Sequence, residues 1–238
     1  MKAVILAGGK GTRLAPYTYI LPKPLMPIGD MPILEILILQ MKRAGINEII
    51  LTVGHLSHLL RAYFENGQKF GVEIRYSLED QPLGTAGPLS LIEDLDRTFI
   101  VSNGDVLCDL DIVAFLATHQ QSGAAATIAM YNKQVNIDLG VLKLNGENEI
   151  IDYLEKPSYN FPVSMGLYAF EPRVLQYIPR NHYLDFPDLV LKLLEAGETV
   201  RGYDFDGYWR DLGRKEDYEQ AIEDFETMRH LFLPDQAE

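Results

Sequence analysis

Between residues 2 and 131, short apolar runs alternate with segments of helical pattern, and this alternation limits the possible folds more than any other feature of the chain. Residues 2–7 (KAVILA), 47–53 (NEIILTV), 72–77 (VEIRYS), 98–102 (TFIVS) and 124–131 (AAATIAMY) read as strands, and residues 32–44, 55–66, 84–95 and 111–122 as helices. The first helical segment has Pro32 in its first turn, Lys42 and Arg43 in its last and Gly45 as its stop, which suits the two ends of a helix. Strands separated by ten or more helical residues form βαβ units, so the expected class is α/β with a doubly wound, mainly parallel sheet flanked by helices.

After about residue 135 the pattern changes. Short strands at 138–144, 149–154 and 163–171 follow one another with only turns between, which predicts an antiparallel or mixed extension of the sheet. Helices are expected at 185–196 and 213–230, followed by a frayed polar tail at 233–238. No repeat or linker interrupts the 238 residues, so they read as one domain: a core over residues 1–134, then a second subregion with closing helices over residues 135–238.

Net charge is −13, which argues against nucleic acid and anionic membranes as partners. No apolar stretch is long enough to span a bilayer. The single cysteine, Cys108, excludes an internal disulfide and reads as a small buried apolar residue in a reducing compartment, so the chain is assigned to the cytoplasm. A chain this acidic that binds phosphate needs its cations concentrated in one place.

They are concentrated in Leu6-Ala7-Gly8-Gly9-Lys10-Gly11-Thr12-Arg13, directly after the first strand. Ligands of open α/β sheets bind at the carboxyl ends of the strands. Three glycines in four residues let backbone N–H groups turn toward a phosphate, and Lys10 and Arg13 add charge. Gly11 follows Gly9-Lys10, so the P-loop pattern fails; Leu14 stands where the dinucleotide fingerprint needs its last glycine. Ten residues after Arg13, Pro22 and Pro24 fix the backbone on both sides of Lys23, which reads as a positioned cation.

The stretch KAVILAGGKGTRLAPYTYILPKPLMPIGDMPILE resembles the signature of the sugar-1-phosphate nucleotidyltransferases, a G-G-x-G-[ST]-R-L loop followed by P-K-P-L-x-P. The resemblance implies the Rossmann-like core of nucleotide-diphospho-sugar transferases, with Leu6, Ala7, Gly8, Gly9, Gly11, Thr12 and Arg13 wrapping a nucleoside triphosphate. Arg13 and Lys23 would be the catalytic cations at the α-phosphate. The second substrate would be a sugar 1-phosphate and the products a nucleotide sugar and pyrophosphate; a homodimer is left open.

Asn103-Gly104-Asp105 ends a buried strand facing the same crevice, and Asp211 lies 106 residues later in Tyr208-Trp209-Arg210-Asp211-Leu212-Gly213. In the family resembled, these two blocks supply the metal ligands, so Asp105 and Asp211 are expected to hold Mg²⁺, which prefers one or two carboxylates plus phosphate oxygens. Asp111 reads as a helix cap. By the same resemblance, Asn103, Gly140, Glu155 and Lys156 would bind the sugar phosphate, the last two in an E-K-P block; Ser164 stands where relatives often have Asn. His55 and His58 read as packing or surface residues.

Gln81, Pro82, Gly84 and Thr85 are expected at the base. The block Pro82-Leu-Gly-Thr-Ala-Gly-Pro-Leu89 is similar to that of mannose-1-phosphate guanylyltransferases, which favours GTP with mannose 1-phosphate. A heptose 1-phosphate guanylyl-, or glucose-1-phosphate thymidylyl- or uridylyltransferase, and a catalytically inactive nucleotide-sugar-binding relative, are the alternatives. A dehydrogenase is disfavoured because Thr52-Val53-Gly54 lacks the acidic residue that binds a ribose. The C-terminal β-helix of longer relatives is not expected.

Overall fold

In the computed structural model, which describes residues 1–234, the first apolar run becomes β1 (Lys2–Leu6). Ala3, Val4 and Ile5 are fully buried, as a strand covered on both faces requires. The chain crosses a loop holding two short paired strands, β2 (Pro27–Ile28) and β3 (Met31–Pro32), to enter α1 (Ile33–Arg43). It continues through β4 (Glu48–Val53), α2 (Ser57–Phe64), β5 (Glu73–Leu78), β6 (Phe99–Asn103) and β7 (Val106–Cys108). The second half adds α3 (Ile112–Ser122), β8 (Ala126–Asn136), β9 (Val141–Leu144), β10 (Ile150–Leu154) and β11 (Ser158–Phe170). It closes with α4 (Phe186–Glu195), β12 (Val200–Phe205), β13 (Trp209–Asp211) and α5 (Lys215–Phe232).

Seven strands form the central sheet in the order β12-β8-β11-β6-β1-β4-β5. β1 is parallel to β4 and β6, β5 to β4, and β12 to β8. In this sheet, among the described residues, β11 alone runs antiparallel to its neighbours, β6 and β8. Helices cover both faces. Ile5 packs with Leu37 and Met41 of α1, Leu60 and Phe64 of α2 and Phe115 of α3. On the other face Val4 and Phe170 pack with Leu89, Val174 and the α4 residues Leu189 and Leu193. α5 sets Tyr218, Phe225 and Phe232 against Leu14, Ile28 and Ile36, pinning the loop that follows β1; burying each phenylalanine contributes about 2 kcal/mol.

The mixed extension appears, with different bounds. β11 is 13 residues long and runs from the core out along β8. β9 and β10 form a separate hairpin whose Leu142–Tyr153 and Leu144–Ile150 pairs share one exposed face. Residues 84–95 form no α-helix. They contain one 3₁₀ segment, Gly87–Leu91, because Ala86 and Gly87 both donate their N–H to the Leu184 carbonyl and Pro88 has no N–H to give. β12 was not anticipated. The tail is also corrected in part: Leu233 is buried, while residues 235–238 lie outside the described residues. Cys108 is buried, and burial pushes its thiol up to about 11.

Candidate active site

Because β1, β4, β5 and β6 are parallel, the residues that follow them emerge at one edge of the sheet. A cleft of about 900 Å³ opens there. Its wall takes Leu6 from the end of β1, Ala7, Gly8, Gly9, Lys10, Gly11 and Arg13 from the loop after it, and Lys23 from the proline-flanked turn. Gln81, Pro82, Gly84 and Thr85 come from the segment after β5, and Asn103 and Asp105 from the end of β6. Gly11 sits at φ +60°, a left-handed conformation that glycine adopts without strain, and its carbonyl accepts the Thr18 hydroxyl at 2.9 Å. Thr12, Gly140, Glu155, Lys156 and Asp211 are not part of the cleft wall.

Asp211 nevertheless approaches it. β13 pairs with β7, so Asp211 lies opposite Val106, and the Leu212 N–H donates to the Asp105 carbonyl at 3.2 Å. Lys23 is buried, and its ammonium donates to Asp105 Oδ2 and stands 4.0 Å from Asp211 Oδ1. A cation thus lies between two carboxylates. Burial and then the Asp105 charge hold the Asp211 carboxyl above its usual range, against the opposing pull of Lys23 and Arg13. Gly213 leaves room for Arg13: a Cβ there would meet Arg13 Nη1 at 3.0 Å. Arg210 turns away to Asp224 and Tyr208.

Among the described residues, no group of three or more His, Cys, Asp or Glu side chains is placed to hold a metal. The two carboxylates fit Mg²⁺, which takes hard oxygen donors and keeps its other positions for water and phosphate. Asp111 caps α3, accepting the Ala114 N–H at 3.0 Å, and Asp109 accepts the Tyr208 N–H at 2.8 Å.

The remaining predicted residues divide. Asn103 packs on Gly166 at the cleft floor. Thr85 is committed to the start of α4: its N–H and hydroxyl donate to Asp185 Oδ1 and the hydroxyl accepts the Phe186 N–H at 2.8 Å. Glu155 and Lys156 are exposed in the turn between β10 and β11, where Lys156 has φ 44°. Tyr153 lies over Gly140. The structure also places Thr52, His55, Glu79 and Asp185 in the cleft wall, none of which was among the expected site residues. His55, read as a packing residue, contributes to the site by its position just past β4.

The chain matches the nucleotidyl transferase family model over residues 2–228. It is 37% identical to a UTP–glucose-1-phosphate uridylyltransferase of Synechocystis sp., over 93% of this chain and 62% of the relative. It is 35% identical to a mannose-1-phosphate guanyltransferase of Yarrowia lipolytica, over 92% of this chain and 62% of the relative. The chain thus spans 62% of the length of these curated relatives. Among solved structures, a Bacillus anthracis protein provisionally identified as a glucose-1-phosphate thymidylyltransferase is 26% identical and covers 94% of both chains with a TM-score of 0.76. HddC from Yersinia pseudotuberculosis, complexed with GMP-PN, is 25% identical and covers 94% of this chain and 99% of its own with a TM-score of 0.71.

Proposed function

The chain belongs to the nucleotidyl transferase family, and from that premise we propose that it joins a nucleoside triphosphate to a sugar 1-phosphate, releasing pyrophosphate. The observation that carries this reading is the meeting of Lys23 with Asp105 and Asp211 beside the Arg13 loop, at the carboxyl edge of the sheet. An oxygen of the sugar phosphate attacks the α-phosphorus in line, and pyrophosphate leaves with the bonding electrons. The protein forms no covalent bond; it positions the reactants and stabilises charge. The glycine loop directs N–H groups at the triphosphate, and Arg13 and Lys23 balance the charge that develops at the α-phosphate. Mg²⁺ held by Asp105 and Asp211 would supply Lewis-acid polarisation of that phosphate. Glu155 and Lys156, in the turn between β10 and β11, would bind the sugar phosphate.

GTP with mannose 1-phosphate is the first substrate pair, supported by the 82–89 block and by the Yarrowia lipolytica relative. UTP with glucose 1-phosphate is the second reading, favoured by the Synechocystis relative. A cytoplasmic setting belongs to the same proposal: no described helix is long and apolar enough to cross a membrane. The test is pyrophosphate release with Mg²⁺ across GTP, UTP, dTTP, CTP and ATP, each paired with mannose, glucose and heptose 1-phosphates. A clear maximum at one pair supports the proposal; no release from any pair overturns it.

A further inference from the structure

β13 is three residues long, yet it carries Asp211 to the Lys23 ammonium, and among the described residues no hydrogen bond holds the Asp211 carboxylate itself. Its aim is therefore set by the backbone, and the residues before it show what holds that backbone. Successive side chains of a strand point to opposite faces. Trp209 goes inward with Asp211: its Nε1–H donates to the Met165 carbonyl at 3.0 Å, and its ring centre lies 5.3 Å from that of Tyr131. Tyr208 and Arg210 face α5. Arg210 Nη2 donates to Asp224 Oδ2 at 3.0 Å and Arg210 Nε to the Tyr208 hydroxyl at 3.0 Å, while that hydroxyl donates to the same Asp224 oxygen at 2.7 Å. Gln220 Nε2 donates to the other Asp224 oxygen at 3.0 Å. Asp217, two helical turns before Asp224, stands 3.7 Å from Arg210 Nη1. Against its burial, hydrogen bonds from Tyr208 and Gln220 and the Arg210 charge hold the Asp224 carboxyl below its usual range, so it stays ionised.

α5 grips the other half of the site as well. Its Tyr218 and Phe225 pack with Leu14, next to Arg13. The Tyr218 hydroxyl donates to the Pro27 carbonyl at 2.6 Å, just past the turn that fixes Lys23. One helix thus holds both the segment that carries the cations and the strand that carries the acid. β13 lies outside the seven-stranded sheet, in a two-stranded one with β7, so the central sheet does not hold it directly. We infer that Asp224, through Arg210, is a positioning residue for Asp211: it fixes the β13 backbone on α5 and so sets the reach of the Asp211 carboxylate toward Asp105. Neither Arg210 nor Asp224 is part of the cleft wall. Mg²⁺ demands near-ideal octahedral geometry, so a small displacement of either carboxylate weakens the proposed site. Outer partners commonly orient a metal ligand by bonding to it. Here the partner acts through the preceding residue of the strand.

The role rests on the nucleotidyltransferase reading, because it acts through Asp211 as a metal ligand. For each variant, the Mg²⁺ half-saturation of pyrophosphate release and the KM of each substrate are measured. Beside them, Mn²⁺ binding by the chain alone is followed by electron paramagnetic resonance, and thermal melts check folding. Asp224→Ala and Arg210→Met are expected to weaken both metal constants about tenfold or more, as loss of an outer partner of a metal ligand does, with KM for the triphosphate and the sugar 1-phosphate unmoved. Asp224→Asn, which still accepts from Tyr208 and Arg210, and Arg210→Lys should recover most of the loss. Tyr208→Phe removes one hydrogen bond to Asp224 and should give the same shift on a smaller scale, which keeps the test open should Asp224→Ala not fold. Arg229→Met breaks the ion pair between the same helix and Asp30, and should leave both metal constants unmoved whatever it does to Tm. Metal constants unmoved in Arg210→Met and Tyr208→Phe, or moved as far by Arg229→Met, overturn the inference. Shifted Mn²⁺ binding with no pyrophosphate release from any substrate pair would overturn the functional reading alone. A wild-type chain that neither binds Mn²⁺ nor needs Mg²⁺ overturns both.

Discussion

Replacing Lys23 by methionine removes the ammonium that stands between Asp105 and Asp211. The lysine and Asp105 side chains are 11% and 22% exposed, and Asp211 is 47% exposed. Solvent screens the Asp211 pair, which is worth below about 1 kcal/mol. The Asp105 pair is mostly buried, and breaking such a pair costs about 3–5 kcal/mol because a charge is stranded. Lys23→Met should therefore destabilise the fold by about 3 kcal/mol, which for a chain of this size lowers Tm by about 6–12 °C. The cost comes from the stranded carboxylate, so Lys23→Met/Asp105→Asn should melt above Lys23→Met alone. Mg²⁺ should raise the Tm of Lys23→Met more than that of the wild type, because no ammonium competes for the carboxylates; a ligand at 100 times its Kd adds about 2.7 kcal/mol. Activity should fall about 10²–10³-fold, as when one electrostatic stabiliser is removed from a transition state. Calorimetry with and without Mg²⁺ measures the stability effects. A Lys23→Met variant that melts with the wild type, or a double variant no more stable than the single, would refute the reasoning.

Lys156→Ala should raise KM for the sugar 1-phosphate and leave that for the triphosphate unchanged; the reverse pattern would move Lys156 to the other substrate. Thr85→Val should cost about 1–2 kcal/mol by leaving the Phe186 N–H unsatisfied and removing the hydroxyl's bond to Asp185 at the start of α4, read as a Tm drop of about 2–8 °C. The Lys2 hydrogen bond, with help from Arg75 and against partial burial, holds the Asp94 carboxyl below its ordinary value of 3.8. The stabilisation this gives is present above pH 3.8 and is lost as pH falls through the depressed value. Asp94→Asn should therefore melt below the wild type at neutral pH and converge with it in acid; a constant difference across pH would show that the ion pair contributes nothing.

The parallel core was legible because strands such as β1 are apolar runs and α1 carries terminal signals such as Pro32 and Gly45. The segment 84–95 misled because its apolar spacing is helical, while the partner that captures its N–H groups, Leu184, lies about 100 residues away. β12 escaped notice because its Arg201, Gly202 and Asp204 are exposed on an edge strand, where no apolar run is required. The places of the loop cations and of Asp105 at the edge of the sheet could be read from local sequence, while the metal role expected of Asp105 came from resemblance. Asp211 could be placed near the site only by resemblance, since the β7–β13 ladder that brings it in leaves no local mark.

The reversed direction of β11 has a consequence for the chain as it leaves the ribosome. β1, β4, β5 and β6 are made first and can pair at once, but β6 then offers a bare edge at the centre of the future sheet. Its partner arrives late: Ser102 meets Leu167, about 65 residues further on. At 5–20 residues per second, that edge stays open for several seconds, and unpaired strand edges invite association with neighbouring chains. Strand order therefore sets a window of vulnerability during synthesis that the finished protein no longer shows.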